Sequence, residues 1–129
     1  MRDIKFRVWD NHYERYEERS CAVNKQGILF VYNVDEGHWF EPQHTGYAIE
    51  WFTGLKDKAG NEIFKGDILQ TVADDGARLS KFTVYWREGS AGFAKERQDG
   101  EHYNLDRMAC SRLEIIGNIH SNPELMEQQ

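Results

Sequence analysis

The chain is 129 residues long, 40% apolar and 29% charged, with a formal net charge of -6 and two cysteines. That length fits one domain or two small lobes sharing a core, and an aromatic share of 13% can fill a core without disulfide staples. The mild acidic balance excludes the global basic footprint of many nucleic-acid binders, and no window approaches the roughly 20 apolar residues of a membrane span.

Ile4, Phe6 and Val8 alternate with Lys5, Arg7 and Trp9, a period of two that predicts a half-buried strand. Asp10-Asn11 is a turn signal, after which residues 13–18 return as a second strand or a short helix. Residues 28–32 form a continuous apolar run, expected to be a strand buried on both faces. Residues 33–45 read as a loop and residues 47–53 as a further strand. In the segment that follows, Asp57 and Gly60 are placed to make turns, and Gly60 is expected at positive φ. Lys65-Gly66-Asp67 makes another turn ahead of a strand at residues 68–72.

Ala73-Asp74-Asp75-Gly76 is a hairpin signal. The returning strand, residues 82–87, puts Phe82, Val84 and Trp86 on one face and Thr83 and Tyr85 on the other. Glu88-Gly89-Ser90 turns the chain, residues 92–95 continue it, and Asp99-Gly100 turns it towards a short strand at 102–105. In the last strand Leu113, Ile115 and Ile119 are expected inward, with Glu114, Asn118 and His120 outward. Asn122-Pro123-Glu124 then reads as a capped start of a short helix over residues 123–127. The expected fold is mainly β in a single domain, 1–129. It has an N-terminal β-rich region (1–65), a small SH3-like barrel portion (66–121), and a short C-terminal helix and tail (122–129).

The chemistry-bearing residues make no constellation. His12, His38, His44, His102 and His120 match no zinc spacing, although His38 and His44 share a loop with Glu36 and Glu41. The pairs Glu17-Glu18, Asp35-Glu36 and Asp74-Asp75 are sequence neighbours, which usually point apart. No GxSxG, phosphate loop or GxGxxG is present. No catalytic residue, metal or cofactor is therefore expected. Cys21 and Cys110 read as reduced, small apolar residues of a cytoplasmic protein, with a disulfide between them left open. Asp67 is expected to accept hydrogen bonds from turn N–H groups, and Lys56, Asp57 and Lys58 to solvate their turn.

Aromatics offer the candidate contact residues. Trp39 and Phe40 fall in the predicted loop, and Trp86 and Arg87 end a strand; a base or a partner's apolar side chain could stack there. Core burial is the commoner fate of such residues. Arg78, Lys81, Arg87, Lys95 and Arg97 are candidates for a basic face.

Three stretches carry a family resemblance: Ile4-Lys5-Phe6-Arg7-Val8-Trp9-Asp10, the glycine-punctuated run over 53–69 that begins Thr53-Gly54-Leu55-Lys56-Asp57-Lys58, and Glu114-Ile115-Ile116-Gly117-Asn118-Ile119-His120-Ser121-Asn122-Pro123-Glu124-Leu125. In order and approximate spacing the chain resembles the YopX family from end to end. Val8 stands where members often have Ala, and Phe64-Lys65-Gly66 where they have Tyr-Glu-Gly. The resemblance implies a bacteriophage or prophage origin, a place in the host bacterial cytoplasm and a β-rich fold with an SH3-like barrel portion; it carries no catalytic residues. The function expected is a non-enzymatic module that binds a host or phage protein, with a homo-oligomer through exposed strand edges as a further expectation. A small barrel binding single-stranded nucleic acid is the alternative. No membrane association is expected.

Overall fold

The computed structural model describes residues 5–43, 46–90 and 92–127. Ile4, His44, Thr45 and the tail 128–129 lie outside them. The chain is mostly strand. It forms two compact units, Arg7–Ile49 and Met1–Phe6 with Glu50–Gln129.

The larger unit is built on a five-stranded antiparallel sheet. Its strands are β8 (Asp67–Val72), β9 (Arg78–Arg87), β10 (Gly92–Arg97), β11 (His102–Asn104) and β12 (Leu113–Asn118), in the order β11-β10-β9-β8-β12. The region 66–121, expected as an SH3-like barrel, builds this sheet, which curls into a half-barrel with β11 and β12 at its edges. Ile63, Leu69, Phe82, Val84, Leu105, Cys110 and Leu113 form the core on the inner face. Ile68 and Leu69 are both fully buried, although neighbours on a strand face opposite ways, so both faces are covered at β8. A four-residue helix missed in the sequence, α1 (Arg107–Cys110), delivers Cys110 to the core; Asp106 caps it by accepting from Ala109 N–H at 2.8 Å. Among the described residues, no helix is long and apolar enough to cross a membrane.

Three expectations for this unit need correction. Asp57 does not solvate its turn but is buried, 5% exposed. Its Oδ1 accepts from Ala59 N–H (3.0 Å) and Asn61 N–H (2.8 Å), and its Oδ2 from Ile115 N–H (3.0 Å). With Lys58 N–H donating to the Leu113 carbonyl (2.8 Å), the turn closes the edge of β12 that β8 leaves unpaired. Next, the inward alternation from residue 113 to 120 holds at Leu113 and Ile115, which packs against the core, and fails beyond them. A bulge between Ile115 and Gly117 adds one residue and reverses the parity, so Ile119 faces out, 40% exposed, and His120 turns in. Finally, the C-terminal helix is a 3-10 turn, Pro123–Met126. Asn122 does not cap it with its side chain, because its Oδ1 accepts from Asn118 N–H at 3.3 Å.

The rest of this unit positions the groove described below. From Glu50 onward, β6 (Tyr47–Lys56) pairs with β7 (Glu62–Phe64). Phe52 N–H also donates to the Lys5 carbonyl at 2.8 Å, and the Phe6 ring packs on Trp51, 5.3 Å between centroids. Gly60 has the expected positive φ, +88°.

In the smaller unit, β3 (Cys21–Val23), β4 (Leu29–Asn33) and β5 (His38–Phe40) make an antiparallel sheet with β4 in the middle. β1 (Phe6–Asp10) and β2 (Arg15–Tyr16) form the hairpin expected from Asp10-Asn11. Two expectations are overturned here. The predicted loop over 33–45 contains β5. The run 28–32 is not buried on both faces: Val31 is fully buried, but Ile28 is 39% exposed. Three short strands carry too little chain to cover both sides of a sheet.

Candidate functional site

Trp86 sits on the core face of β9 with Phe82 and Val84, but burial fades along that face: 6% exposed at Phe82, 1% at Val84 and 41% at Trp86. The strand outruns the core at this end. Phe93, directly opposite on β10, meets the Trp86 indole edge-on, 5.0 Å between centroids and 79° between planes. Trp51 on β6 is 38% exposed and stands on Phe6. These rings and Lys65 line a groove of ≈ 410 Å³, and the described residues of its lining all belong to the larger unit. Among the described lining residues, Lys65 alone carries a charge.

The turn that holds Lys65 is over-determined. Lys65 N–H donates to the Trp51 carbonyl (3.0 Å) and Gly66 N–H to the Val84 carbonyl (2.9 Å), while Ile119 N–H donates to the Gly66 carbonyl (2.9 Å). Asp67, buried, accepts from Phe64 N–H at 2.8 Å, the turn-closing role expected of it. Gly66 has φ +92°, and a Cβ there would lie 2.1 Å from Glu50 Oε2. Glu50 is itself buried and 3.0 Å from His120 Nε2. This carboxylate–imidazole pair went unseen in the sequence because its members are 70 residues apart and the bulge in β12 is what turns His120 inward.

The four candidate contact residues are divided between the units. Arg87 follows Trp86 but points to the other side of the pleat, where its Nε–H reaches the Tyr85 hydroxyl at 3.4 Å. Trp39 and Phe40 belong to the smaller unit, on β5 rather than in a loop. Trp39 is 47% exposed and packs edge-on against Tyr32; Phe40 lies under the Arg19 guanidinium, 5.5 Å from its carbon. Arg19 forks onto Glu17 (2.8 and 2.9 Å) and holds that carboxyl below the usual range. The smaller unit has its own cavity of ≈ 290 Å³, lined by Glu41 and Tyr47 among others.

The proposed basic face is largely engaged within the fold. Arg78 pairs with Glu114 at 3.1 Å. Arg97 is bound to Asp99, whose carboxyl it lowers to about 2. Lys95 lies over Phe82 (4.6 Å) and Tyr103 (5.9 Å), and partial burial lowers its pKa. Among the described residues, no three His, Cys, Asp or Glu side chains converge as metal ligands.

Both cysteines are free thiols. Burial pushes Cys110 up to about 11, whereas Cys21 is only half-buried and is raised less. Iodoacetamide at pH 8.5 is therefore expected to label Cys21 first and Cys110 only after denaturant is added, read by mass spectrometry of the peptides. The folded state holds the Cys110 proton more tightly than the unfolded state does, so this contribution to stability is lost as pH rises from about 9 towards about 11.

The chain matches the YopX protein family over residues 5–127. It is similar to the crystal structure of protein EF1440 from Enterococcus faecalis, with 28% identity and a TM-score of 0.65 over 98% of this chain and 100% of that one. It is also similar in fold to the X-ray crystal structure of protein yopX from Bacillus subtilis, with 22% identity and a TM-score of 0.66 over 98% and 100% of the two chains. No curated protein matches the chain.

Proposed function

The chain belongs to the YopX family, and we propose that it is a non-enzymatic protein-interaction module whose contact surface is the groove between Trp51 and Trp86. The observation that carries this reading is the exposure of two tryptophans, 38% and 41%, on the walls of one groove. An exposed indole leaves a large apolar area in water, and tryptophan is over-represented among the residues that dominate binding energy at interfaces. Each indole already packs on a neighbouring ring, Trp86 on Phe93 and Trp51 on Phe6, which lowers the side-chain entropy lost on contact. The phage or prophage origin implied by the family makes a protein of the host cytoplasm, or another phage protein, the natural partner.

Binding of single-stranded nucleic acid is the weaker reading. It asks for cations that track a phosphate backbone beside the rings, whereas Arg78 and Arg97 are spent on carboxylates.

Photo-crosslinking separates the two. With p-benzoylphenylalanine in place of Trp86, irradiation in host cells is expected to give discrete protein adducts. The same group in place of Met108, which is 81% exposed on α1, is expected to give none. Adducts only to nucleic acid, or equal adducts from both positions, contradict the proposal. Adducts between two copies of the chain identify the partner as itself.

A further inference from the structure

We propose that β11 is a docking edge for a second copy of this chain, paired antiparallel about a two-fold axis through Tyr103. The five-stranded sheet treats its two edges differently. At β12 the chain itself closes the edge, with the Asp57 carboxylate and the Lys58 N–H. At β11 the backbone pattern leaves an edge open. Tyr103 lies opposite Lys95 of β10; Arg97 N–H donates to the Glu101 carbonyl (2.8 Å) and Leu105 N–H to the Phe93 carbonyl (3.4 Å). By the alternation of an antiparallel ladder, Glu101, Tyr103 and Leu105 turn their backbone groups towards β10, so those of His102 and Asn104 point away from it. Among the described residues, none bonds to these outward groups. All three residues of the strand are exposed, and its register with β10 has no bulge. Nor does it carry the proline or lysine with which proteins often blunt an edge.

The outward groups are self-complementary. In a pair centred on Tyr103, His102 lies opposite Asn104 of the second copy, and Asn104 opposite its His102. Outward groups then meet outward groups, and each pair exchanges two N–H to carbonyl bonds. A slip of one residue would set outward groups against inward ones and lose every bond. Tyr103 falls opposite itself at the closer, non-hydrogen-bonded position, where aromatic pairs stabilise a sheet. Its ring is 40% exposed and packs edge-on against Phe82, 5.8 Å between centroids. Like charges do not meet, since residues 102–104 contain no carboxylate, lysine or arginine. A second copy also brings this edge already held in a sheet, whereas a flexible foreign peptide loses conformational entropy on pairing. The two-fold contact closes on itself and leaves no edge for a third copy. Three residues a side make a small interface, so the dimer belongs to the weak class. The pairing uses none of the described lining residues of the groove, so its failure leaves that reading untouched.

The test is sedimentation velocity on the whole chain from about 10 μM to about 1 mM, where a monomer of 15.2 kDa is expected to give way to a dimer. Over that range, amide exchange at His102 and Asn104 is expected to slow by about threefold, and exchange at Tyr103, whose N–H faces β10, to change less. His102→Lys with Asn104→Lys sets lysine against lysine in both pairs and is expected to weaken the dimer by about tenfold. His102→Lys with Asn104→Glu sets opposite charges in both pairs and is expected to restore it. Both variants lose the contact of His102 with the Tyr85 hydroxyl, so their difference reads position 104 alone. A monomer at the highest concentration overturns the proposal. So does self-association that survives the paired lysines, or that does not return with glutamate. If either variant disturbs the circular dichroism spectrum, exchange in the unaltered chain decides: rates at His102 and Asn104 that do not depend on concentration overturn the pairing.

Discussion

Gly66→Ala is expected to lower folding stability by about 3–5 kcal/mol, read as a fall in the urea midpoint at unchanged slope. Two costs combine. A residue other than glycine at φ +92° is strained by about 1–3 kcal/mol. The new methyl would also lie 2.1 Å from Glu50 Oε2, on a buried carboxylate held 3.0 Å from His120 Nε2. The carboxylate must leave that contact or the turn must shift, and a buried polar group stripped of a partner costs about 1–3 kcal/mol, or more when charged. Gly76→Ala is the control. It has the same sign of φ, +87°, but open space around the new Cβ, so only the strain applies and the loss is expected near 1–2 kcal/mol. Equal losses at the two positions would show that Glu50 yields freely.

Asp57→Ala is expected to cost about 3 kcal/mol, by the same measurement. It removes the acceptor for three backbone N–H groups, those of Ala59, Asn61 and Ile115, at a buried site. Asp57→Asn separates the turn from the strand. Its amide oxygen can keep the two turn bonds, but its –NH2 meets the Ile115 N–H, donor against donor. Hydrogen exchange in the asparagine variant is expected to accelerate at Ile115 while Ala59 and Asn61 stay protected. Uniform acceleration would mean that the turn and β12 open together.

Much of the sheet was legible in the sequence because its signals are local. Alternation marked β1, β9 and the start of β12; Gly60 and Gly66 marked turns that need positive φ; Asp67 followed a turn whose N–H groups a carboxylate can reach. Trp86 was legible as a contact candidate because it ends its strand. What escaped depends on partners distant in the chain. β5 is three residues long and becomes a strand only by pairing with β4. One extra residue in β12 reverses every facing beyond it, so Ile119 and His120 exchanged places. Asp57 looked like a solvated turn residue because the N–H it serves at Ile115 is 58 positions away. Trp51 gave no sign that it would stand across from Trp86, since that needs the 65–67 turn bonded to both β6 and β9. Lys65 entered the site with that turn.

The hydrogen bond from Phe52 to Lys5 carries a consequence for how this protein can vary. The larger unit's chain departs at Phe6 and resumes at Glu50, and the two ends are stitched together within that unit's own framework. Such a doorway is where natural proteins accept guests, because a cargo of any length can be spliced in without rethreading the host. Residues 7–49 occupy the guest's position. Replacing or shortening that cassette is thus expected to leave the larger unit folded, with the groove between Trp51 and Trp86 still in place.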